Sequence, residues 1–118
     1  MKFMSRAATT SDVFNAIAEP RRREIIGLLA SGQSRSVNEL VAALGLAQSA
    51  VSKHLGVLRA VGVVSVQKQG QSRLYALNPA ELKPVHDWVK QFDRFWTHQL
   101  NRIQERAERK AAAKAAEN

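Results

Sequence analysis

The segment SVNELVAALGLAQSAVSKHLGVLRA, residues 36–60, encodes two helices joined by a short turn. Ser36 followed three residues later by Glu39 forms a capping-box pattern, which predicts that a helix begins here. Apolar residues then recur at intervals of three and four until Gly45, where the helix is expected to end. A second helix is predicted over about residues 48–60. Two short helices linked by a glycine-containing turn are typical of a helix-turn-helix.

The outward face of the second helix is suited to a nucleic-acid groove. Its residues are short, polar or cationic, and none is acidic: Gln48, Ser49, Ser52 and Lys53. A helix that enters the major groove needs small side chains for close approach and polar groups that read base edges. The alternative is an ordinary solvated face, but such faces usually carry glutamates paired with lysines. The pattern therefore favours DNA binding.

A β-hairpin is predicted directly after the second helix. The strands are Val63–Val66 and Leu74–Leu77, and residues 67–73 between them contain Gly70, which is typical of a turn. The expected DNA contacts in this tip are Lys68, Gln71 and Arg73. Lysines in a hairpin also protect exposed strand edges, so the tip alone is weak evidence. After a helix-turn-helix, it indicates the winged-helix arrangement, with a basic tip that lies along a phosphate backbone.

The remaining sequence predicts a mainly α fold in the order α-α-α-α-β-β-α. Two short helices precede the helix-turn-helix; the first is capped near Ser11 and Asp12, and the second begins at Pro20. One long helix is expected to follow, with Asn78 as its cap. We predict an N-terminal arm over residues 1–10, a DNA-binding core over 11–78, a dimerisation helix over 79–108 in the same domain, and a frayed tail rich in alanine and lysine over 109–118.

The long helix is expected to form a dimer. Four of the seven aromatic residues of the chain fall within nine residues of this helix, and so much apolar surface is unfavourable in water on a small domain. Packing within one subunit is the alternative, but a helix of about thirty residues is roughly 45 Å long and exceeds such a domain. We predict an isologous two-fold interface. Its residues are Phe14, Leu82, Val85, Val89, Phe92, Trp96 and Ile103.

Composition excludes several classes of protein. The chain has 118 residues, a formal net charge of +8 and no cysteine, which excludes disulfides, thiolate metal sites and cysteine nucleophiles. No apolar run approaches the roughly 18 residues of a membrane span, so we expect a cytoplasmic protein with no membrane partner. The sequence has neither a glycine-rich phosphate loop nor an acid–histidine constellation, so an enzyme is not expected.

The charges are unevenly distributed. Residues 36–78 contain four Lys and Arg residues and a single acid, Glu39, as expected of a surface that faces phosphates. Acids and bases alternate in residues 79–118, which predicts a solvated helix with many ion pairs. A nucleic-acid tail over Arg106–Lys114 is the alternative for its basic end.

These motifs resemble the ArsR-type (arsenic-repressor-like) bacterial regulators. The resemblance runs from Phe14-x-Ala16-Ile17-Ala18-Glu19-Pro20 through residues 39–64 to Tyr75 of the hairpin. It implies a homodimeric winged-helix repressor that binds a double-stranded palindromic operator and releases it when a small-molecule inducer binds. The sequence departs from the family pattern at two positions. Ala47 stands where the family usually has a helix-capping serine, and Gln71 stands where an arginine is common.

Metal sensing is not expected. Val41 and Ala43 stand where many members of the family have cysteines, and the two histidines of the last helix, His86 and His98, are twelve residues apart. A zinc or nickel site needs three or four converging ligands, so we predict neither a metal nor another cofactor. An inter-subunit site that includes these histidines stays an alternative.

Three further questions stay open at this level. His54 either contacts phosphate or anchors its helix against a neighbour. A winged helix also serves to bind structured RNA or a protein partner, because fold does not dictate function. Finally, a repressor that needs no inducer would have the same sequence features.

Overall fold

The computed structural model describes residues 12–117, which form two compact units that divide between Val85 and His86. The first helices are α1 (Val13–Ile17), α2 (Pro20–Leu29), α3 (Val37–Leu44) and α4 (Gln48–Ala60). The strands are β1 (Arg35–Ser36), β2 (Val64–Gln69) and β3 (Ser72–Leu77). A 3₁₀ helix (Pro79–Leu82), α5 (Lys83–Lys90) and α6 (Asp93–Glu117) complete the chain. The predicted mainly α winged helix-turn-helix is confirmed, and the predicted arm lies outside the described residues.

Side-chain caps fix the starts of the first three helices. The carboxylates of Asp12 and Glu19 accept hydrogen bonds from backbone N–H groups of α1 and α2, at 2.8 and 3.0 Å. The predicted capping box of α3 is present in both directions between Ser36 and Glu39. The pKa of the Glu39 carboxyl is lowered from its usual 4.5, mainly because its carboxylate accepts a hydrogen bond from the Ser36 backbone N–H. The Ser36 hydroxyl lowers this pKa further. These local interactions set the ends of the helices before any packing is considered.

Three arginines of the first unit bond to carbonyl oxygens. Arg22 and Arg23 donate to carbonyls at the end of α1, among them those of Ala16 and Ile17. Arg35 donates to the carbonyl of Leu28 near the end of α2. These guanidinium groups therefore satisfy the last carbonyls of helices, which have no partner inside the helix.

The hairpin is longer and tighter than predicted. β2 pairs with β3 from Val64↔Leu77 to Gln69↔Ser72, which leaves a turn of two residues, Gly70 and Gln71, instead of a seven-residue tip. Gly70 has φ +63, as the first central position of a type II′ turn requires. Polar residues 67–69 join the strand because the backbone ladder needs no apolar side chain. The unpredicted β1 pairs with β3, giving an antiparallel sheet in the order β1-β3-β2.

A single apolar core holds the first unit together. Its largest fully buried side chains come from α2, α3, α4 and the start of the hairpin: Ile25, Leu29, Leu40, Val51, Leu55, Leu58, Val63 and Val64. Leu82 and Val85 pack in part against this core. Leu55 and Leu58 thereby fix the orientation of α4, so that its polar side faces outward.

The predicted long helix is in fact three pieces. Asn78 stands at the N-cap of the 3₁₀ helix and not of a long α-helix, and its side chain makes no capping bond; its amide instead donates to the carbonyl of Gly62 at 2.9 Å. The break between α5 and α6 comes where the N–H of Phe92 bonds to the carbonyl of Val89, three residues back, and where the Gln91 side chain donates to the carbonyl of Trp88. α6 continues to Glu117, and the fraying of the tail stays a prediction.

Candidate nucleic-acid interface

Helix α4 presents a polar face to solvent. Its apolar side is buried in the core through Val51, Leu55 and Leu58. The opposite side is exposed and carries the four residues predicted to contact DNA: Gln48, Ser49, Ser52 and Lys53. None of them is acidic, and Gly56 leaves the middle of this face without a side chain. Such a surface allows close approach of another macromolecule.

A groove brings the start of α4 together with the turn of the hairpin. It is lined by residues from α3, α4 and the hairpin: Ser36, Val37, Asn38, Gln48, Gln71, Ser72 and Arg73. All but Val37 are polar, and Arg73 is the one charged residue among them. Tertiary structure therefore joins two predicted contact regions, Gln48 on the helix and Gln71 with Arg73 on the hairpin, into one surface.

Asn38 and Ser36 line this groove but were not predicted to belong to the candidate site. Ser36 was predicted only as a helix cap, and no role was predicted for Asn38. Both lie at the start of α3, beside the hairpin, because the unpredicted pairing of Ser36 with Leu74 brings β1 next to β3. A polar residue in the first turn of the first helix of a helix-turn-helix was the available signal.

The two cations of the hairpin are cross-strand neighbours. Lys68 pairs directly with Arg73 in the β2–β3 register, and both residues are exposed. Like charges at directly opposite positions destabilise a sheet. Lys68 also lies on an edge strand, where lysine discourages pairing with other chains. A phosphate near these two side chains would relieve their repulsion.

His54 lies on a different side of α4 from Lys53. Its side chain is 20% exposed, and its Nδ1 is 3.9 Å from Oε2 of Glu19. The same Glu19 carboxylate caps α2 through the N–H of Arg22. This arrangement links α4 to the start of α2 and favours the anchoring role for His54 over the phosphate contact.

The second unit carries a ladder of aromatic rings. The rings of Trp88 and Phe92 meet edge to face with centroids 5.5 Å apart, and those of Phe92 and Trp96 stack at 6.4 Å. Trp88 is 54% exposed and Phe92 40%. The other large apolar residues of this unit that stay exposed are Phe95, Trp96, Leu100 and Ile103. Val89 is half-buried, and Phe14 of the first unit is 40% exposed.

The described residues contain no cluster of metal ligands and no single membrane-spanning helix. Within residues 12–117, no three His, Asp or Glu side chains lie close enough together to hold a metal ion. In the same range no single helix is long and apolar enough to cross a membrane; α3 and α4 pass that test only as a pair, bent by 114°.

Comparison with known proteins identifies relatives of this chain. Residues 19–66 match the family described as "Bacterial regulatory protein, arsR family". The transcriptional repressor SdpR of Bacillus subtilis is 30% identical over 82 residues, which cover 70% of this chain and 90% of that protein. The transcriptional activator HlyU of Vibrio cholerae is 39% identical over 73 residues, 62% of this chain and 67% of that protein.

A solved structure shows the same fold. The ArsR-like transcriptional regulator from Rhodococcus sp. RHA1 superposes with a TM-score of 0.65 at 30% identity, over 92% of this chain and 97% of that one. These relatives are regulators of transcription and not enzymes, and they give no support to an RNA-binding or protein-binding module. The chain belongs to the ArsR family of bacterial DNA-binding transcriptional regulators.

Proposed function

We propose that the chain acts as a homodimeric repressor that reads a palindromic operator with α4 and the hairpin. The observation that carries the proposal is the groove in which Gln48, Asn38 and Arg73 converge. A duplex seated on the polar face of α4 would meet the hairpin cations beside it. The base-reading helix and the phosphate-binding hairpin would then act on one stretch of DNA.

The residues divide into two roles. Gln48 and Ser49 begin α4, where residues of a recognition helix reach base edges in the major groove. Lys53, Lys68 and Arg73 supply the positive charge for phosphates, which gives affinity and salt dependence but no sequence preference. Ser52 and Gln71 lie on the same exposed surfaces and contribute polar contacts. His54 supports the surface through Glu19.

The aromatic ladder supports a dimer. Exposed rings at Trp88, Phe92 and Trp96 are an unfavourable surface in water, and a second copy of the chain would cover them in an isologous interface. Two recognition helices related by a two-fold axis fit half-sites about 34–36 Å apart on one face of the duplex. The operator is therefore an inverted repeat.

The direction of regulation follows from occlusion. A dimer bound across a promoter excludes the polymerase, and SdpR is itself a repressor. HlyU is an activator, so the position of the operator decides the outcome. A small molecule that binds one arrangement of the subunits better than the other would release the DNA.

Selection of bound duplexes from a random pool tests the proposal. The wild-type protein should enrich an inverted repeat with the half-site spacing given above. Gln48→Ala should lower the preference for the enriched site by about 1–3 kcal/mol, the value of one bidentate base contact. Gln33→Ala, an exposed glutamine in the loop after α2, is the matched control and should leave the preference unchanged. Equal competition by structured RNA, or enrichment of no sequence, would contradict the proposal.

A further inference from the structure

The C-terminal half of α6 carries a continuous basic face. Five exposed cations lie between residues 102 and 114: Arg102, Arg106, Arg109, Lys110 and Lys114. At 3.6 residues per turn they fall within an arc of about 140° around the helix. Glu105 and Glu108, the two acids between residues 102 and 114, point outside this arc. Between residues 102 and 114 the helix therefore separates its charges by side, which the alternating sequence conceals.

The cations of this face are not neutralised by the helix itself. The ion pairs predicted for this segment are absent among the side chains described for α6. Glu108 instead accepts a hydrogen bond from the side-chain amide of Gln104 at 3.0 Å. The positive charge of the face is thus available to a partner.

The chemistry of the segment identifies the class of partner. From residue 104 to 116 every uncharged residue is alanine except Gln104, so this part of the helix has no large apolar side chain for a lipid bilayer or for helix packing. Residues 102–114 span about 18 Å, which corresponds to about five phosphates along one strand of a duplex. A regularly spaced polyanion matches this face in charge and in length.

We propose that the basic face of α6 binds the phosphate backbone of duplex DNA and adds affinity that does not depend on sequence. The proposal rests on the DNA-binding function proposed above. It gives the C-terminal half of α6 a role beyond dimerisation, since the aromatic ladder ends at Trp96 and the last large exposed apolar side chain of this helix is Ile103.

A charge-neutralised variant of the full-length protein tests this inference. In it, Arg102, Arg106, Arg109, Lys110 and Lys114 are all replaced by glutamine, which is also a good helix former. Binding to the selected operator and to a random-sequence duplex is measured as a function of salt. We expect both affinities to fall at least about tenfold near 100 mM salt. The slope of the logarithm of the binding constant against the logarithm of the salt concentration should flatten by about two or more.

Two controls separate charge from structure. The charge-preserving variant R102K/R106K/R109K should bind both duplexes as the wild type does. The double variant R106Q/K110Q should show a smaller loss in the same direction, and circular dichroism should show unchanged helix content. If the charge-preserving variant loses as much affinity as the neutralised one, the proposal is wrong.

Other outcomes also decide the matter. Wild-type affinity and salt slope in the neutralised variant would overturn the proposal while leaving the proposed function intact. An effect of the five substitutions on binding to anionic vesicles and on neither duplex would overturn it as well. If the wild type binds both duplexes equally, the proposed function fails, but the difference between the variants on the random duplex still tests this inference.

Discussion

The uncapped start of α4 predicts that Ala47→Ser stabilises the protein. Asp12, Glu19 and Ser36 each place an oxygen on a first-turn N–H group of their helix, whereas Ala47 makes no such bond. Its backbone, at φ −64 and ψ 147, already has the extended conformation of a capping residue. A serine hydroxyl therefore fits without moving the chain. We expect the free energy of unfolding to rise by about 1 kcal/mol, within the 0.5–2 kcal/mol that such caps contribute.

Urea denaturation at fixed protein concentration measures this gain. With an m-value of about 1–3 kcal/mol/M, a gain of about 1 kcal/mol moves the midpoint up by roughly 0.3–1 M at unchanged slope. Ala42→Ser makes the same change at an exposed position inside α3, where serine is a poorer helix former and should lower stability by up to about 0.7 kcal/mol. A midpoint for Ala47→Ser at or below that of the wild type would refute the capping argument. So would an equal rise in both variants.

Further predictions concern binding, assembly, pH and zinc. Lys53→Ala should weaken binding to all duplexes and flatten the salt slope by about 0.9 per lost phosphate contact; altered sequence preference at unchanged affinity in a filter-binding assay would contradict this role. Trp96→Ser removes the ring stacked on Phe92 and should shift the protein toward monomer in sedimentation, and a monomeric wild type at micromolar concentration would falsify the dimer. Because bonds from Ser36 lower the pKa of Glu39, this carboxylate stabilises the fold above its usual 4.5 and loses that contribution as the pH falls through the folded pKa. Glu39→Gln should therefore flatten the dependence of unfolding free energy on pH in that range, as acid titration by circular dichroism will show. Micromolar zinc should leave operator affinity unchanged in a gel shift, and release of DNA would show a metal site.

Local patterns predicted the helix-turn-helix because its signals act over a few residues. The capping box at Ser36 and the stop at Gly45 are satisfied within one turn of helix, so they need no tertiary contact. The apolar spacing of α4 also placed Val51 in the core and Lys53 in solvent correctly. The long terminal helix was predicted less well, because the amide of Asn78 bonds to Gly62, sixteen residues away, and no local signal encodes that contact.

Residue identity alone determined the chemical character of the proposed interface: an acid-free helix face, a basic hairpin and a chain without cysteine. Tertiary structure decided how those parts combine. Pairing of β1 with β3 placed Asn38 beside Arg73, and the hairpin register set Lys68 opposite Arg73. The reason is physical: charge and propensity belong to single residues and short windows, whereas the position of a side chain depends on pairings between distant segments that only the folded chain brings together.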